Sequence, residues 1–157
     1  MHINKLLYLS LICMLLFSCD SKTVYKKFSN NFSDNRWPKT DVLTYKFTID
    51  EPGMYDILID YSHVYDTPLT GIPLHVSVEQ SGNVLWEEPV AIIIRDEDGN
   101  QIGDCTGDYC DVRQVISENK TLLPGEYKVH LRNEFNFDYL PNILGIGIRV
   151  ARSEAAQ

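Results

Sequence analysis

Apolar residues recur at every second position through most of this chain, and that period excludes a helical body before any other property is considered. In "IPLHVSVE", Ile72, Leu74, Val76 and Val78 fall in one phase and His75, Ser77 and Glu79 in the other. The same alternation runs from Val42 to Ile49 ("VLTYKFTI") and recurs in "YDILIDYS" and "VLWEEP". In "GEYKVHLRN" it puts Tyr127, Val129 and Leu131 on one face, and in "ILGIGIRVA" it puts Leu144, Ile146, Ile148 and Val150 inward. Turn signals separate the runs: Glu51-Pro52-Gly53, Gln80-Ser81-Gly82-Asn83, Asp96-Glu97-Asp98-Gly99-Asn100 and Pro124-Gly125. The Asp98-Gly99 pair supplies the left-handed φ of a tight hairpin. Two stretches break the pattern. "VAIIIRD" is continuously apolar, which predicts a strand buried on both faces, and Asp111 to Asn119 is the one short candidate for a helix. Seven to nine short strands with frequent turns predict an all-β fold, a single antiparallel β-sandwich of jelly-roll-like form. Gly145 and Gly147 occupy the outward phase of the last strand, where they mark a bulge or a closely approaching backbone.

The N-terminus obeys a different rule. From Leu6 to Phe17 the chain is apolar except at Ser10, and Lys5 precedes the run. That length suits the roughly 7–15 residues of a signal peptide and falls short of the ~20 a spanning helix needs. No small-residue cleavage site of the A-x-A kind follows; instead Leu16-Phe17-Ser18-Cys19 resembles the bacterial lipobox. The resemblance implies a diacylglyceryl group on the Cys19 sulfur and cleavage before it, so that residues 1–18 are a lipoprotein signal peptide. Two or more acyl chains, at about 0.8 kcal/mol per buried CH₂, hold a protein to a bilayer durably where one does not. Residues 19–36, polar and rich in Asn, Ser and Lys, read as the lipidated terminus and tether. Trp37-Pro38 opens the sandwich, residues 37–152, and 153–157 form a short tail.

Removal of the signal leaves 139 of the 157 residues, enough for one core. The chain carries a net charge of −8, and the signal takes only Lys5 with it, so the mature form is one unit more acidic. That balance excludes nucleic acid as a partner and a polybasic grip on lipid. Once Cys13 leaves with the signal and Cys19 is lipidated, Cys105 and Cys110 remain, in "GDCTGDYCD". Export places them where disulfides persist, and a bond between them would stabilise a short loop by about 2–3 kcal/mol. A disulfide is the leading reading; two free thiols and half of a metal site are the others.

No residue set in the sequence forms a catalytic constellation, and no metal or cofactor is expected. His63, His75 and His130 are scattered over separate strands or loops, the latter two on outward phases. Asp96, Glu97, Asp98, Asn100 and Asp104 look like a calcium loop only superficially, because Gly99 comes too early and Gly107 holds the place of the closing glutamate. Glu87-Glu88, and Asp56 with Asp60 on one strand face, are acid pairs of the kind glycosidases use, and in so acidic a chain such pairs arise by chance.

Taken together, the lipobox, "VYKKF", "NNFSDNRWPKTD", "LTYKFTI", "GEYKVHLRNEF" and "DYLPNILGIGIRVAR" resemble the GldH-type gliding-motility lipoproteins of the Bacteroidetes, most specifically from Gly125 to Arg152. The resemblance implies a non-enzymatic envelope lipoprotein that supports gliding and its associated secretion machinery through contacts with other envelope proteins. It brings no catalytic residues. The outer membrane is the favoured location, although Asp20 beside the anchor is an inner-membrane retention signal in some bacteria. The alternative is a surface module that binds a ligand such as carbohydrate, with Trp37, Trp86, Tyr61 and Tyr65 as the rings to inspect. Exposed, coplanar rings beside a groove would favour sugar; burial of those rings with an exposed apolar patch elsewhere would favour a protein partner.

Overall fold

The computed structural model describes residues 22–154. The signal segment 1–18, Cys19 and the end of the 153–157 tail lie outside them. Eleven strands follow in order: β1 (Thr23–Ser29), β2 (Trp37–Pro38), β3 (Leu43–Ile49), β4 (Gly53–Val64), β5 (Gly71–Gln80), β6 (Asn83–Ile93), β7 (Asp104–Thr106), β8 (Tyr109–Leu122), β9 (Gly125–Asn133), β10 (Tyr139–Leu140) and β11 (Ile143–Arg152). One sheet has the order β1-β11-β4-β8-β7 and the other β3-β9-β5-β6, while β2 and β10 pair apart. With the short β2, β7 and β10 set aside, eight long strands divide four and four between two sheets in the order of a jelly roll.

The alternating residues meet between the sheets. Tyr55, Ile57, Ile59 and Tyr61 of β4 and Ile146, Ile148 and Val150 of β11 belong to one core cluster with Ile72, Leu74, Val76 and Val78 of β5 and Tyr127, Val129 and Leu131 of β9. Each such aliphatic side chain contributes about 1.5–3 kcal/mol by leaving water. Trp37, fully buried, and Leu140 close one end of the core through the β2–β10 pair.

Four expectations need correction. The folded body begins at Thr23, not Trp37: residues read as tether form β1, antiparallel to β11. Asp111 to Asn119 lies inside β8, where pairing with β4 overrides local helical spacing. The apolar run from Val90 lies on β6, an edge strand, so Ile92 is buried but Ile93 is 45% exposed. Finally, a register shift between Ile143 and Gly145 puts Ile143, rather than Leu144, in the core.

At one end of the sandwich the chain crosses between sheets by short turns, from Ile49 to Gly53 and from Leu122 to Gly125. A tyrosine pins each. The Tyr55 hydroxyl donates to the Glu51 carbonyl at 2.7 Å. The Tyr127 hydroxyl donates to the Leu123 carbonyl at 2.8 Å and accepts the Leu123 N–H at 3.0 Å. A tyrosine bonded back to the backbone a few residues upstream is the tyrosine corner of β-sandwiches.

Gly145 and Gly147 face β1, whose Phe28 lies opposite Gly147. A Cβ on Gly147 would stand 2.4 Å from the Lys27 carbonyl oxygen, and one on Gly145 would meet the Phe28 ring at 2.2 Å. The outward glycines are therefore the floor on which β1 rests. Gly147→Ala should destabilise the protein by about 1–3 kcal/mol through overpacking, with hydrogen exchange of the β1 amides accelerating more than that of β5. Unchanged β1 protection would remove the glycines from that role.

Candidate functional site

The outer face of the five-stranded sheet holds a shallow groove of about 720 Å³. Lys26 and Phe28 of β1 form one wall; Tyr109, Asp111 and Arg113 of β8, with Asp104 of β7, form the other. Phe28 and Tyr109 are 42% and 43% exposed. Asp60 stands on the floor, one carboxylate oxygen accepting from Arg113 Nε at 2.6 Å and the other from Arg149 Nη2 at 3.2 Å. Because two guanidiniums hold this carboxylate, it fixes the floor rather than serving as a general base. An exposed ring on each wall above a paired ionic floor suits binding.

Asp56, the other half of the suggested acid pair, is separately engaged: its Oδ1 accepts from the Asn119 N–H at 2.8 Å and the Ser153 hydroxyl at 2.5 Å. Asp96 closes its own turn, accepting from the Asp98 and Asn100 N–H groups at 3.0 and 2.8 Å and from Asn100 Nδ2 at 3.0 Å. These bonds, that from the Asn100 side chain foremost, hold its carboxyl below the usual range. Among the described residues, no three His, Cys, Asp or Glu side chains converge as metal ligands. Cys105 and Cys110 face each other in register across β7 and β8, Cα atoms 4.0 Å apart, joined as a disulfide.

The inspected rings do not assemble. Trp37 and Tyr61 are buried in the core, Tyr65 is half exposed at the far end of β4, and partly buried Trp86 on β6 lies under the Lys120 ammonium at 5.4 Å. His130 sits on the outer face of the four-stranded sheet, Nδ1 2.9 Å from Thr44 Oγ1 and Nε2 3.5 Å from Glu79. Glu79 also pairs with Lys128, whose hydrogen bond holds its carboxyl down. His75 is half-buried on the same face.

His63 was unremarked in the sequence as a core residue, yet it is fully buried and stacks on Tyr61 with centroids 5.7 Å apart. Its Nδ1–H donates to the Val64 carbonyl at 2.9 Å, and Nε2 has no hydrogen-bond partner among the described residues. Burial pushes its pKa down, with the Val64 bond opposing. The groove itself was illegible in the sequence. Its walls come from residues 26–28 and 104–113, and of its lining only Asp60, paired with Asp56 on one strand face, drew notice in the sequence.

A lowered folded-state pKa means that, as pH falls below the unfolded value of about 6.5, the unfolded chain takes up a proton that native His63 refuses. Stability should therefore decline by up to about 1.4 kcal/mol per pH unit until the native imidazole itself titrates. Urea unfolding between pH 7.5 and 5 should show this slope reduced in His63→Phe. An unreduced slope would assign the proton uptake to other groups.

Comparison with known proteins bears on the whole chain. The family model described as GldH lipoprotein matches residues 23–150. The gliding motility lipoprotein GldH of Flavobacterium johnsoniae is 23% identical over 162 residues, covering 98% of this chain and all of that protein. Among solved structures, dimeric latent PorU of Porphyromonas gingivalis aligns with TM-score 0.33 and 10% identity, over 84% of this chain and 13% of its own. A chain of the T13 IBDV viral particle aligns with TM-score 0.34 and 14% identity, over 84% and 30%.

Proposed function

This chain belongs to the GldH lipoprotein family, and from that premise we propose that it is a lipid-anchored, non-enzymatic component of the cell envelope that supports gliding motility and its associated secretion by binding other envelope proteins. In this reading the Cys19 sulfur carries the diacylglyceryl anchor, the outer membrane is the host bilayer, and Cys105 and Cys110 are oxidised in the exported protein. Their bond ties β7, the shortest strand of its sheet, to β8.

The observation that carries the partner role is the distribution of rings. Trp37 and Tyr61, which a sugar platform would have to expose, are buried, while Phe28 and Tyr109 stand open on the sheet face. A groove with an exposed ring on each charged wall and an ionic floor offers an anchor pocket and orienting charges, the anatomy of a protein interface. Loss of the two rings should disarm it without touching the core.

In a gliding host, the doubly substituted Phe28→Ala, Tyr109→Ala protein should stay in the membrane fraction at normal abundance yet fail to co-purify with envelope proteins in mild detergent, and colony spreading should fall. Wild-type spreading in that strain, or glycan-array binding by the unsubstituted protein with no stable protein partner, would overturn the reading in favour of a ligand-binding module. Alkylation of the mature, denatured but unreduced protein should label neither Cys105 nor Cys110. Labelling of both would establish free thiols.

A further inference from the structure

The two ends of the sandwich differ in the way they finish. At one, three tight turns converge: residues 50–52, 80–83 and 123–124. β1 starts at this end, since Thr23 pairs with Ala151 near the close of β11, while Arg152 pairs with Tyr55 near the start of β4. The far end carries the long connections, including residues 94–103 and 134–138.

The end where the chain enters is unexpectedly apolar at its tips. Leu123 is 59% exposed, Val84 57% and Met54 49%, and Val24, near the start of β1, 42%. Leu123 cannot fold back to hide, because the Tyr127 hydroxyl grips both its N–H and its carbonyl. Two ion pairs stand at this end, Lys22 with Glu154 and Arg152 with Glu51, while Asp50 and Glu126 beside the turns have no ion-pair partner among the described residues. An outward-held leucine on a clamped turn is poorly suited to bulk water and well suited to a lipid headgroup layer.

Chain length supplies the second argument. Cys19 and Thr23 are four residue steps apart, which span at most about 14 Å even when fully extended. Resting on the anchor reading above, this keeps the first paired residue of β1 within that distance of the lipid glycerol, and the turn-bearing end is the one presented to the bilayer. We propose that this end is a second membrane contact, in which Leu123, Met54 and Val84 enter the interface and hold the sandwich upright on its anchor, with the long loops directed away.

The test uses the full lipidated protein, purified from the membrane and reconstituted in vesicles of phosphatidylethanolamine and phosphatidylglycerol. An environment-sensitive fluorophore is placed by Leu123→Cys, Met54→Cys or, as the far-end reference, Phe137→Cys, and nitroxide-labelled lipids serve as quencher. Quenching at positions 123 and 54 should exceed that at 137 by at least about twofold, and quenching at 54 should fall when Leu123→Glu is added. Equal quenching at the two ends, or none at 123 in protein that floats with the vesicles, overturns the contact. Undiminished quenching at 54 in the Leu123→Glu background also overturns it, by assigning the proximity to the tether alone. Failure of the protein to float, together with no lipid mass on Cys19, instead overturns the anchor on which the contact rests.

Discussion

The antiparallel pairing of β1 with β11 is the contact on which the rest of the molecule depends. Without it β11, whose residues from Gly145 to Val150 are all buried, would be a long edge open to strand addition. The pairing is possible because Gly145 and Gly147 leave room for the Phe28 ring and the Lys27 carbonyl. It is then fastened across the layers. The Tyr45 hydroxyl of β3 donates to the Ile146 carbonyl at 2.8 Å and lies 3.1 Å from Ser29 Oγ, and burial pushes its pKa up to about 12. The Tyr25 and Phe47 rings meet at 5.5 Å along the same seam. The strand that follows the anchor is thus held in its own sheet and against the opposite one.

The opposite seam is closed by a side chain. Gln114 of β8 accepts from the Ile93 N–H and donates to the Ala91 carbonyl of β6, both at 2.9 Å, which supplies one rung of a ladder that the sheets do not share. Pro89 and the adjoining Glu87 and Glu88 further along β6 are of the kind that discourages strand addition at an open edge. Side chains do similar work in the long loops. Asn133 Nδ2 donates to the Trp37 and Pro38 carbonyls, Trp37 Nε1 to the Asp41 carbonyl, and Asn142 Nδ2 to Thr67 Oγ1. Arg95 reaches the Gly99 and Thr67 carbonyls and Asp66.

The sheet interior was legible in the sequence because period two is a property of each strand alone, so β3, β4, β5, β9 and β11 announced themselves. What depended on neighbours did not. β1 hides in polar chain because, as an edge strand, it buries little and leaves Lys26 and Lys27 in water. β8 is long but alternates with Ser, Asn and Thr, and only its eleven-residue register with β4 shows that it is a strand. A bulge moves every later residue to the other face, which is why Ile143 and Leu144 exchanged roles. The groove is harder still, since it brings Phe28, Asp60, Tyr109 and Arg113 together from three strands that no local pattern relates. The tyrosine corners, by contrast, carry a faint signal: in both, the tyrosine stands two residues after the glycine that opens its strand, Gly53 before Tyr55 and Gly125 before Tyr127.

Strand direction links the anchor to the groove. The strands run from the turn-bearing end to the loop-bearing end, so the lipid anchor proposed at Cys19 would set their axes away from the bilayer and turn both sheet faces sideways. The groove between β1 and β8 then opens parallel to the membrane, where a partner rooted in the same bilayer can reach Phe28 and Tyr109. Confinement to two dimensions raises the effective concentration of such a partner, so a shallow surface suffices where a free protein would need a deeper one. The exposed rings Tyr65, Phe137 and Tyr139 lie at the far end and meet whatever approaches from beyond the membrane. In that orientation one short tether would separate lateral contacts from distal ones through the direction of β1 rather than through any residue of the sites themselves.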